Sequence, residues 1–248
     1  MVRQWLWGRG FVIPGDAEQV LALLRPLGLT PSMTLLDVSA GLGGPARALA
    51  EAFGITVVGL ERDPALARLG MAMSDAKRMG RRAPISVYDP EGFNLPLAQF
   101  DAAIGREATY TVRDKERFLR VLMQGLKPQG VLLLTEFVLD RSVGERRHLA
   151  SWAPLPDYPP YLWTLERYED CLRSLGFALR ASEDISADYR GRIVAGWTRL
   201  ARMPELRARP RAHFLPIIDE AERAMRTVEA LDSGVLKHIR IEAAARRS

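Results

Sequence analysis

The chain has very few of the residues that build disulfide frameworks and metal sites. Its 248 residues include one cysteine, Cys171, and three histidines at positions 148, 213 and 238. A single cysteine excludes an internal disulfide framework and a cysteine-rich zinc site. The histidines lack metal-ligand spacing. Only His148 follows the fifth strand closely enough to reach a functional site, and a surface position is the favoured interpretation for it. The sequence therefore predicts no metal ion and favours the reducing environment of the cytoplasm.

Long apolar runs and a strong charge imbalance are also lacking. No run approaches the ~20 residues that span a bilayer, and residues 1–5 lack the features of a signal peptide. The net charge is +5, and the late arginines are interleaved with acids, which is typical of solvated helices. We therefore expect no nucleic-acid partner. Weak contact with a membrane surface stays open, and the sequence does not indicate an oligomeric state.

A glycine-rich turn between two apolar strands is the most informative feature that is present. The strand predicted over residues 34–38 carries Asp37 near its end and continues into Ser39, Gly41 and Gly43, after which a helix begins. Glycine permits a tight turn and lets the backbone come close to a ligand. This arrangement predicts a nucleotide-cofactor site.

Two cofactor classes are compatible with this turn. Gly41, Gly43 and Ala46 satisfy the dinucleotide pattern G-x-G-x-x-[GA]. Asp37 argues against NAD, because a carboxylate there would repel a pyrophosphate and suits the cationic amino-acid part of S-adenosylmethionine. Glu61, at the end of the second strand, can accept both ribose hydroxyl protons. The sequence therefore favours S-adenosylmethionine over NAD.

Strand and helix signals alternate from residue 16 to about residue 136, which is typical of an open parallel sheet with both faces covered. The fold class we predict is α/β: a Rossmann-like doubly wound sheet, mostly parallel with an antiparallel edge hairpin, plus a small helical cover. The strands are predicted over residues 34–38, 56–60, 85–88, 100–105, 130–137, 177–185 and 235–243.

The length of the chain permits one compact unit with a single sizeable core. A loop rich in proline and aromatic residues, at 153–161, is expected to cross the top of the site. Residues 1–248 are predicted to form a single domain that consists of a leading helical segment (1–33), a cofactor-binding core (34–187), a helical cover insertion (188–233) and a final strand with a tail (234–248).

Motifs along nearly the whole chain resemble class I S-adenosylmethionine-dependent methyltransferases. The resemblance rests on the glycine turn, on Glu61, on the turn Lys127-Pro128-x-Gly130 and on the final hairpin. A closer resemblance, to the small-molecule branch with its phosphoethanolamine, sarcosine and tocopherol-type methyltransferases, is carried by Gly41-Leu42-Gly43-Gly44, Arg106-Glu107, the helix start at 163–168 and the strand at 234–237.

The resemblance implies roles for several residues in holding the cofactor. Gly41 and Gly43 would line the methionine part, and Glu61 would hold the ribose. Asp89 would meet the adenine amino group, and Arg106 would lie beside the cofactor's carboxylate, for which a guanidinium is well suited. The full predicted set of cofactor-binding residues is Asp37, Ser39, Gly41, Gly43, Glu61, Arg62, Asp89, Pro90 and Arg106.

The chain departs from the family pattern at three positions. Ser39 replaces the first expected glycine of the turn. In phosphoethanolamine methyltransferases a tyrosine and a histidine form a catalytic pair, and the corresponding positions here are Phe11 and Thr111. Neither side chain can accept a proton, which argues against phosphobase activity. We predict instead that Glu107 and Tyr110, just beyond the fourth strand, are the catalytic residues.

The predicted function is methyl transfer from S-adenosylmethionine to a small molecule, with nitrogen favoured as the acceptor atom. Aromatic faces hold a methylated ammonium by cation–π attraction, and they also hold flat rings or isoprenoid tails. The alternatives are C- or O-methylation of a quinone or lipid-like ring and, from another class, a non-catalytic cofactor-binding scaffold. The residues predicted to bind the acceptor are Phe11, Trp152, Tyr161 and Tyr189.

Overall fold

The computed structural model describes residues 2–141, 152, 158–204 and 214–246. Within these ranges one sheet has the strand order β3-β2-β1-β4-β5-β7-β6. Neighbours from β3 to β5 are parallel, whereas β7 is antiparallel to both β5 and β6. The strands are β1 (Thr34–Asp37), β2 (Thr56–Glu61), β3 (Ile85–Val87), β4 (Phe100–Arg106), β5 (Leu126–Leu139), β6 (Phe177–Asp184) and β7 (Leu236–Ala245). The predicted fold class is confirmed.

Helices pack on both faces of the sheet. The one short 3₁₀ helix assigned in the described ranges is Arg25–Leu27. The α-helices are α1 (Val2–Trp7), α2 (Ala17–Leu24), α3 (Gly44–Phe53), α4 (Pro64–Ala76), α5 (Lys115–Gly125), α6 (Leu165–Ser174), α7 (Ser186–Ala201) and α8 (Leu215–Asp232). The apolar sides of α1, α2, α3, α7 and α8 contribute to one buried cluster, and those of α5 and α6 to the other.

Local sequence sets where the helices next to the cofactor turn begin. Asp16 caps α2 through a reciprocal pair of bonds with Gln19, in which each side chain accepts the other residue's backbone N–H, at 3.1 and 3.0 Å. Asp63 caps α4 by accepting the N–H groups of Ala65 and Leu66. Pro64 follows at the first helical position, where no N–H is needed.

Strand β5 is longer than the sequence predicts. We expected a turn over residues 126–130, but Leu126 already pairs with Phe100, and the register shifts between Phe100 and Ala102. Gln129 absorbs the irregularity in a left-handed conformation, with φ of +65°. At its other end β5 continues to Leu139, because its antiparallel pairing with β7 extends that far. The turn was hard to locate because its residues also fit a strand with a bulge.

The helical cover predicted over 188–233 consists, where the structure describes it, of α7 and α8. Of the loop expected over 153–161, residues 158–161 are described, while residues 153–157 lie outside the described ranges. The segment boundaries given for the chain stay predictions. In the described part of the chain, no helix combines the length and the apolar character needed to cross a membrane.

Candidate active site

A cleft opens at the carboxyl ends of β1, β2 and β4. The order of the strands reverses at β1, which lies between β2 and β4, and ligands of open α/β sheets bind at such a point. Residues 12–14, α1, α7 and α8 supply the remaining walls. The predicted site residues that line the cleft are Ser39, Glu61, Arg62, Pro90, Arg106, Glu107, Tyr110 and Tyr189.

Glu61 fixes the glycine turn to the end of β2. Its Oε2 accepts the backbone N–H of Gly41, and its Oε1 accepts that of Asp63, both at 2.8 Å. Gly41 and Gly43 have φ of +55° and +72°, a region that favours glycine. Burial raises the pKa of the Glu61 carboxyl. A carboxylate has about four acceptor positions, so Glu61 can also accept hydrogen bonds from a ligand in the cleft.

Asp37 lies at the end of β1, directly before the residues that line the cleft. Its Oδ1 accepts the N–H and the hydroxyl of Ser39 at 3.0 and 3.3 Å. Its Oδ2 is buried and has no hydrogen-bond partner within the described structure. Burial raises the pKa of Asp37 to about 6. A buried carboxylate is stabilised by a nearby cation, so this oxygen suits a positively charged ligand group.

Arg106 lies beside Asp37, at the end of β4. Its backbone N–H donates to Ser39 Oγ at 2.8 Å, and its Nη2 donates to the carbonyl of Pro14 at 3.0 Å. Its Nη1 is buried and has no hydrogen-bond partner among the described residues. The edge of the sheet therefore presents a free carboxylate oxygen and a free guanidinium nitrogen near each other, a pair that matches an amino acid's ammonium and carboxylate.

Glu107 and Tyr189 form a hydrogen-bonded pair in the wall of the cleft. The hydroxyl of Tyr189 donates to Glu107 Oε1 at 2.7 Å. Glu107 has a φ of +56°, and its N–H donates to Thr135 O at 2.7 Å, which directs the turn after β4. Burial raises the pKa of both side chains. Such a pair can orient an acceptor and take a proton from it.

A buried acid on β5 holds this turn in place. Glu136 Oε1 accepts the N–H groups of Ala108 and Thr109 at 2.9 and 2.8 Å, and burial raises the pKa of its carboxyl to about 8. Tyr110, which follows in the turn, lines the cleft and packs edge-on against Phe137. The sequence analysis missed Glu136, although a carboxylate inside the apolar run of residues 131–139 was a usable signal.

Arg62 connects three segments at the mouth of the cleft. Its Nη1 donates to Thr111 Oγ1 at 2.6 Å. Its guanidinium lies 3.7 Å from the ring centroid of Tyr158, a distance at which cation–π attraction operates. The residue after β2 thus contacts the turn after β4 and the loop before α6.

The remaining predicted residues lie farther from the cleft. Phe11 is buried and packs near Gly44, and Tyr161 packs against Arg113. Trp152 is buried behind Tyr110 and donates to Thr227 Oγ1 at 3.1 Å. The Asp89 carboxylate accepts the N–H of Glu91 at 3.0 Å, while its neighbour Pro90 lines the cleft. Their predicted roles in binding stay predictions.

His238 corrects our expectation about the histidines. We expected only His148 to approach the site, and His148 lies outside the described residues. His238, on β7, is buried against Tyr189 with ring centroids 4.0 Å apart. Sequence reasoning missed it because a strand at the far end of the chain returns next to β5. Among the residues that the structure describes, no group of three or more His, Cys, Asp or Glu side chains is arranged to hold a metal ion.

Comparisons with known proteins identify the family of the chain. Sterol 24-C-methyltransferase of Yarrowia lipolytica is 30% identical over 170 residues, which are 67% of this chain and 45% of that protein. Phosphoethanolamine N-methyltransferase 2 of Caenorhabditis elegans is 26% identical over 189 residues, 75% of this chain and 42% of that protein. The chain thus spans less than half the length of these curated relatives.

A solved structure shares the fold over almost the whole chain. Phosphoethanolamine N-methyltransferase 2 of Haemonchus contortus, in complex with S-adenosyl-L-methionine, superposes with a TM-score of 0.88 at 19% identity, covering 99% of this chain and 56% of that one. The family model described as a methyltransferase domain matches residues 14–182. The family and fold predicted from the sequence are confirmed: the chain belongs to the methyltransferase domain family.

Proposed function

We propose that this chain transfers a methyl group to a small-molecule acceptor, with nitrogen favoured as the acceptor atom. The observation that carries the proposal is the Glu107–Tyr189 pair, which lies in the same cleft as the glycine turn and Glu61. One wall can therefore handle an acceptor's proton while the other holds a nucleotide cofactor.

The cofactor is S-adenosylmethionine, as predicted, because the family uses it and solved relatives bind it. The residues present fit this group. The free Oδ2 of Asp37 suits its ammonium, and the free Nη1 of Arg106 suits its carboxylate. Glu61 lines the cleft where it can accept ribose hydroxyl protons. When bound, the cofactor supplies an electrophilic methyl group on a sulfonium.

Most of the catalysis in this proposal comes from holding the acceptor in line with the methyl group in a site shielded from water. An amine arrives as an ammonium and must lose a proton before nitrogen can attack. Glu107 accepts that proton, and the Tyr189 hydroxyl, which donates to Oε1, keeps the carboxylate oriented. Tyr110 forms the neighbouring wall.

A second candidate is C- or O-methylation of a lipid-like ring. The similarity to a sterol C-methyltransferase favours it, and Trp7, Ile13, Ile193 and Ala224 give one side of the cleft an apolar surface. In this case too Glu107 would take a proton, from the carbon skeleton or a hydroxyl. The third candidate, a scaffold that binds cofactor without turnover, keeps the cofactor half of the site and lacks acceptor chemistry.

The test is a methyl-transfer assay that presents small amines, phenols, quinones and sterols in separate reactions. We expect S-adenosylmethionine and its demethylated product to bind by calorimetry while NAD does not. The first candidate is supported if the wild type methylates an amine and the Glu107→Gln variant does not. A methylated ring with no amine product supports the second, and tight binding without any product supports the scaffold.

A cytoplasmic location and weak contact with a membrane surface are further parts of the proposal. Cell fractionation tests the location. Cosedimentation with anionic and neutral vesicles tests the contact, which we expect to weaken with salt because the late arginines would carry it.

A further inference from the structure

A second cavity lies behind the Glu107–Tyr189 pair. It has a volume of about 270 Å³ and shares Pro14, Arg106, Glu107 and Tyr189 with the cleft. The wall of this cavity includes exposed acidic side chains, Glu183 among them, so the cavity is open to solvent. Glu107 therefore borders both spaces, one that holds the reacting groups and one that leads out of the protein.

Polar atoms without hydrogen-bond partners are concentrated around this second cavity. His238 is 2% exposed, and neither of its ring nitrogens has a partner in the described structure. The same holds for Arg240 Nε. Buried polar groups are normally satisfied by protein or by water, and a cavity of this size and polarity accommodates several water molecules. The second cavity therefore offers space and polar partners for water next to Glu107.

The two residues of the pair are physically coupled to His238. The imidazole packs on the Tyr189 ring with centroids 4.0 Å apart, and the Tyr189 hydroxyl donates to Glu107. A neutral imidazole carries one donor and one acceptor nitrogen. It can therefore take a proton at one nitrogen and release the proton of the other, which keeps the ring neutral and leaves it in its other tautomer.

The charged side chains around Glu107 and His238 are mostly cationic, which disfavours an additional proton at this place. Glu107 is faced by Arg106 on its own turn, by Arg3 of α1 and by Tyr189 and Arg192 of α7. Arg106 and Arg192 also face His238, and together with burial they lower its pKa well below the usual value. Burial and the two guanidiniums thus disfavour a proton that stays on His238.

We propose that the proton of the acceptor leaves through the second cavity, from Glu107 by way of water to His238 and then to solvent. The inference rests on the proposed function. The acceptor's N–H bond breaks as an O–H bond forms on Glu107, and the nitrogen lone pair then attacks the methyl carbon as the C–S bond breaks. Glu107 afterwards loses its proton to water and returns to a carboxylate. His238 relays that proton and regains its first tautomer by exchanging its ring proton with water in the cavity.

The first test does not need a methyl acceptor. The full chain labelled with ¹⁵N-histidine gives ring signals from only three histidines, and His238→Phe identifies the relevant one. If that variant fails to fold, His148→Asn and His213→Asn identify it by elimination. We expect the His238 ring N–H to exchange rapidly with water. We also expect the ¹⁵N chemical shifts of that ring to change with the titration of Glu107, and this change to be missing in Glu107→Gln. Slow exchange, or shifts indifferent to Glu107→Gln, would overturn the relay.

The second test separates proton transfer from packing. His238→Phe keeps a flat ring against Tyr189 and removes both nitrogens, whereas His238→Gln keeps a polar group and removes the ring. For the relay we expect His238→Phe to lower kcat at least about tenfold, to shift the acid limb of the pH profile and to leave cofactor affinity unchanged. A His238→Phe variant with full activity, beside an impaired His238→Gln, refutes it. If no acceptor is methylated at all, the proposed function fails while the exchange measurement still decides on the hydrated path.

Discussion

Replacement of Glu61 by alanine tests the centre of the cofactor site. Glu61 Oε2 and Oε1 each accept a backbone N–H at 2.8 Å, from Gly41 and Asp63. Hydrogen bonds to a charged acceptor contribute about 1.5–3 kcal/mol each. The Asp63 N–H is only partly buried and regains water when the carboxylate is removed, so we expect Glu61→Ala to lower the free energy of unfolding by about 3 kcal/mol. For a chain of this size, that corresponds to a fall in Tm of roughly 6–12 °C.

The same substitution should weaken cofactor binding through a separate contact. If Glu61 accepts two ribose hydroxyl protons, its loss removes about 3 kcal/mol of binding free energy, or roughly 100-fold in Kd. Calorimetry with S-adenosylmethionine, at a temperature where the variant is fully folded, measures this effect apart from stability. Glu51→Ala on the exposed side of α3 is the matched control, and we expect it to change stability by less than about 0.5 kcal/mol.

Glu61→Gln distinguishes charge from shape at this position. Its amide oxygen can accept one N–H, but its amide nitrogen would meet the other N–H as a second donor. We expect an affinity between those of the wild type and the alanine variant. A Glu61→Ala variant that is folded and binds the cofactor within about twofold of the wild type would refute the assignment of Glu61 to the ribose.

Three further predictions concern pH, access to the cleft and the glycine turn. Burial raises the folded-state pKa of Glu136 from 4.5 to about 8. The native state therefore binds one more proton than the unfolded state between these values, and the free energy of unfolding should fall as pH rises across them. Urea denaturation at pH 5 and pH 8 should show a loss on the order of 1 kcal/mol or more, and the same pH dependence of stability in Glu136→Gln would contradict the assignment. Tyr158→Leu removes the ring that lies 3.7 Å from the Arg62 guanidinium, a contact of roughly 0.5–2 kcal/mol. Stopped-flow measurement should therefore show about 2- to 30-fold faster release of the cofactor. An unchanged release rate would show that this contact does not help to close the cleft. Gly43→Ala places a Cβ 2.7 Å from Arg47 Nη1 and 3.0 Å from Ile85 Cδ1, at a φ of +72°. Thermal unfolding should therefore show a destabilisation of about 1–3 kcal/mol. A Tm equal to that of the wild type would show that the turn relaxes freely.

The cofactor half of the site could be predicted because its residues are close together in sequence. Asp37, Gly41 and Gly43 follow one strand, and Glu61 ends the next, so strand order alone brings them to one edge. The strand bounds differ mainly where tertiary pairing decides, as in β5. Its extension depends on the partner strand β7, which lies about a hundred residues later in the chain and leaves no local signal.

The acceptor half could be predicted only in part, because its geometry depends on segments far apart in the chain. Glu107 was identified from its place after β4, and Tyr189 from its aromatic character, but their hydrogen bond joins β4 to α7 across 82 positions. Glu136 and His238 were missed for the same reason, since Glu136 contacts the turn after β4 and His238 packs against Tyr189 of α7. Phe11 and Thr111 stand at the positions that the resemblance aligns with the tyrosine and histidine of phosphoethanolamine methyltransferases. Thr111 accepts a hydrogen bond from Arg62 and Phe11 packs by Gly44, so both side chains make structural contacts, and the proton transfer we propose depends on Glu107 and Tyr189 instead.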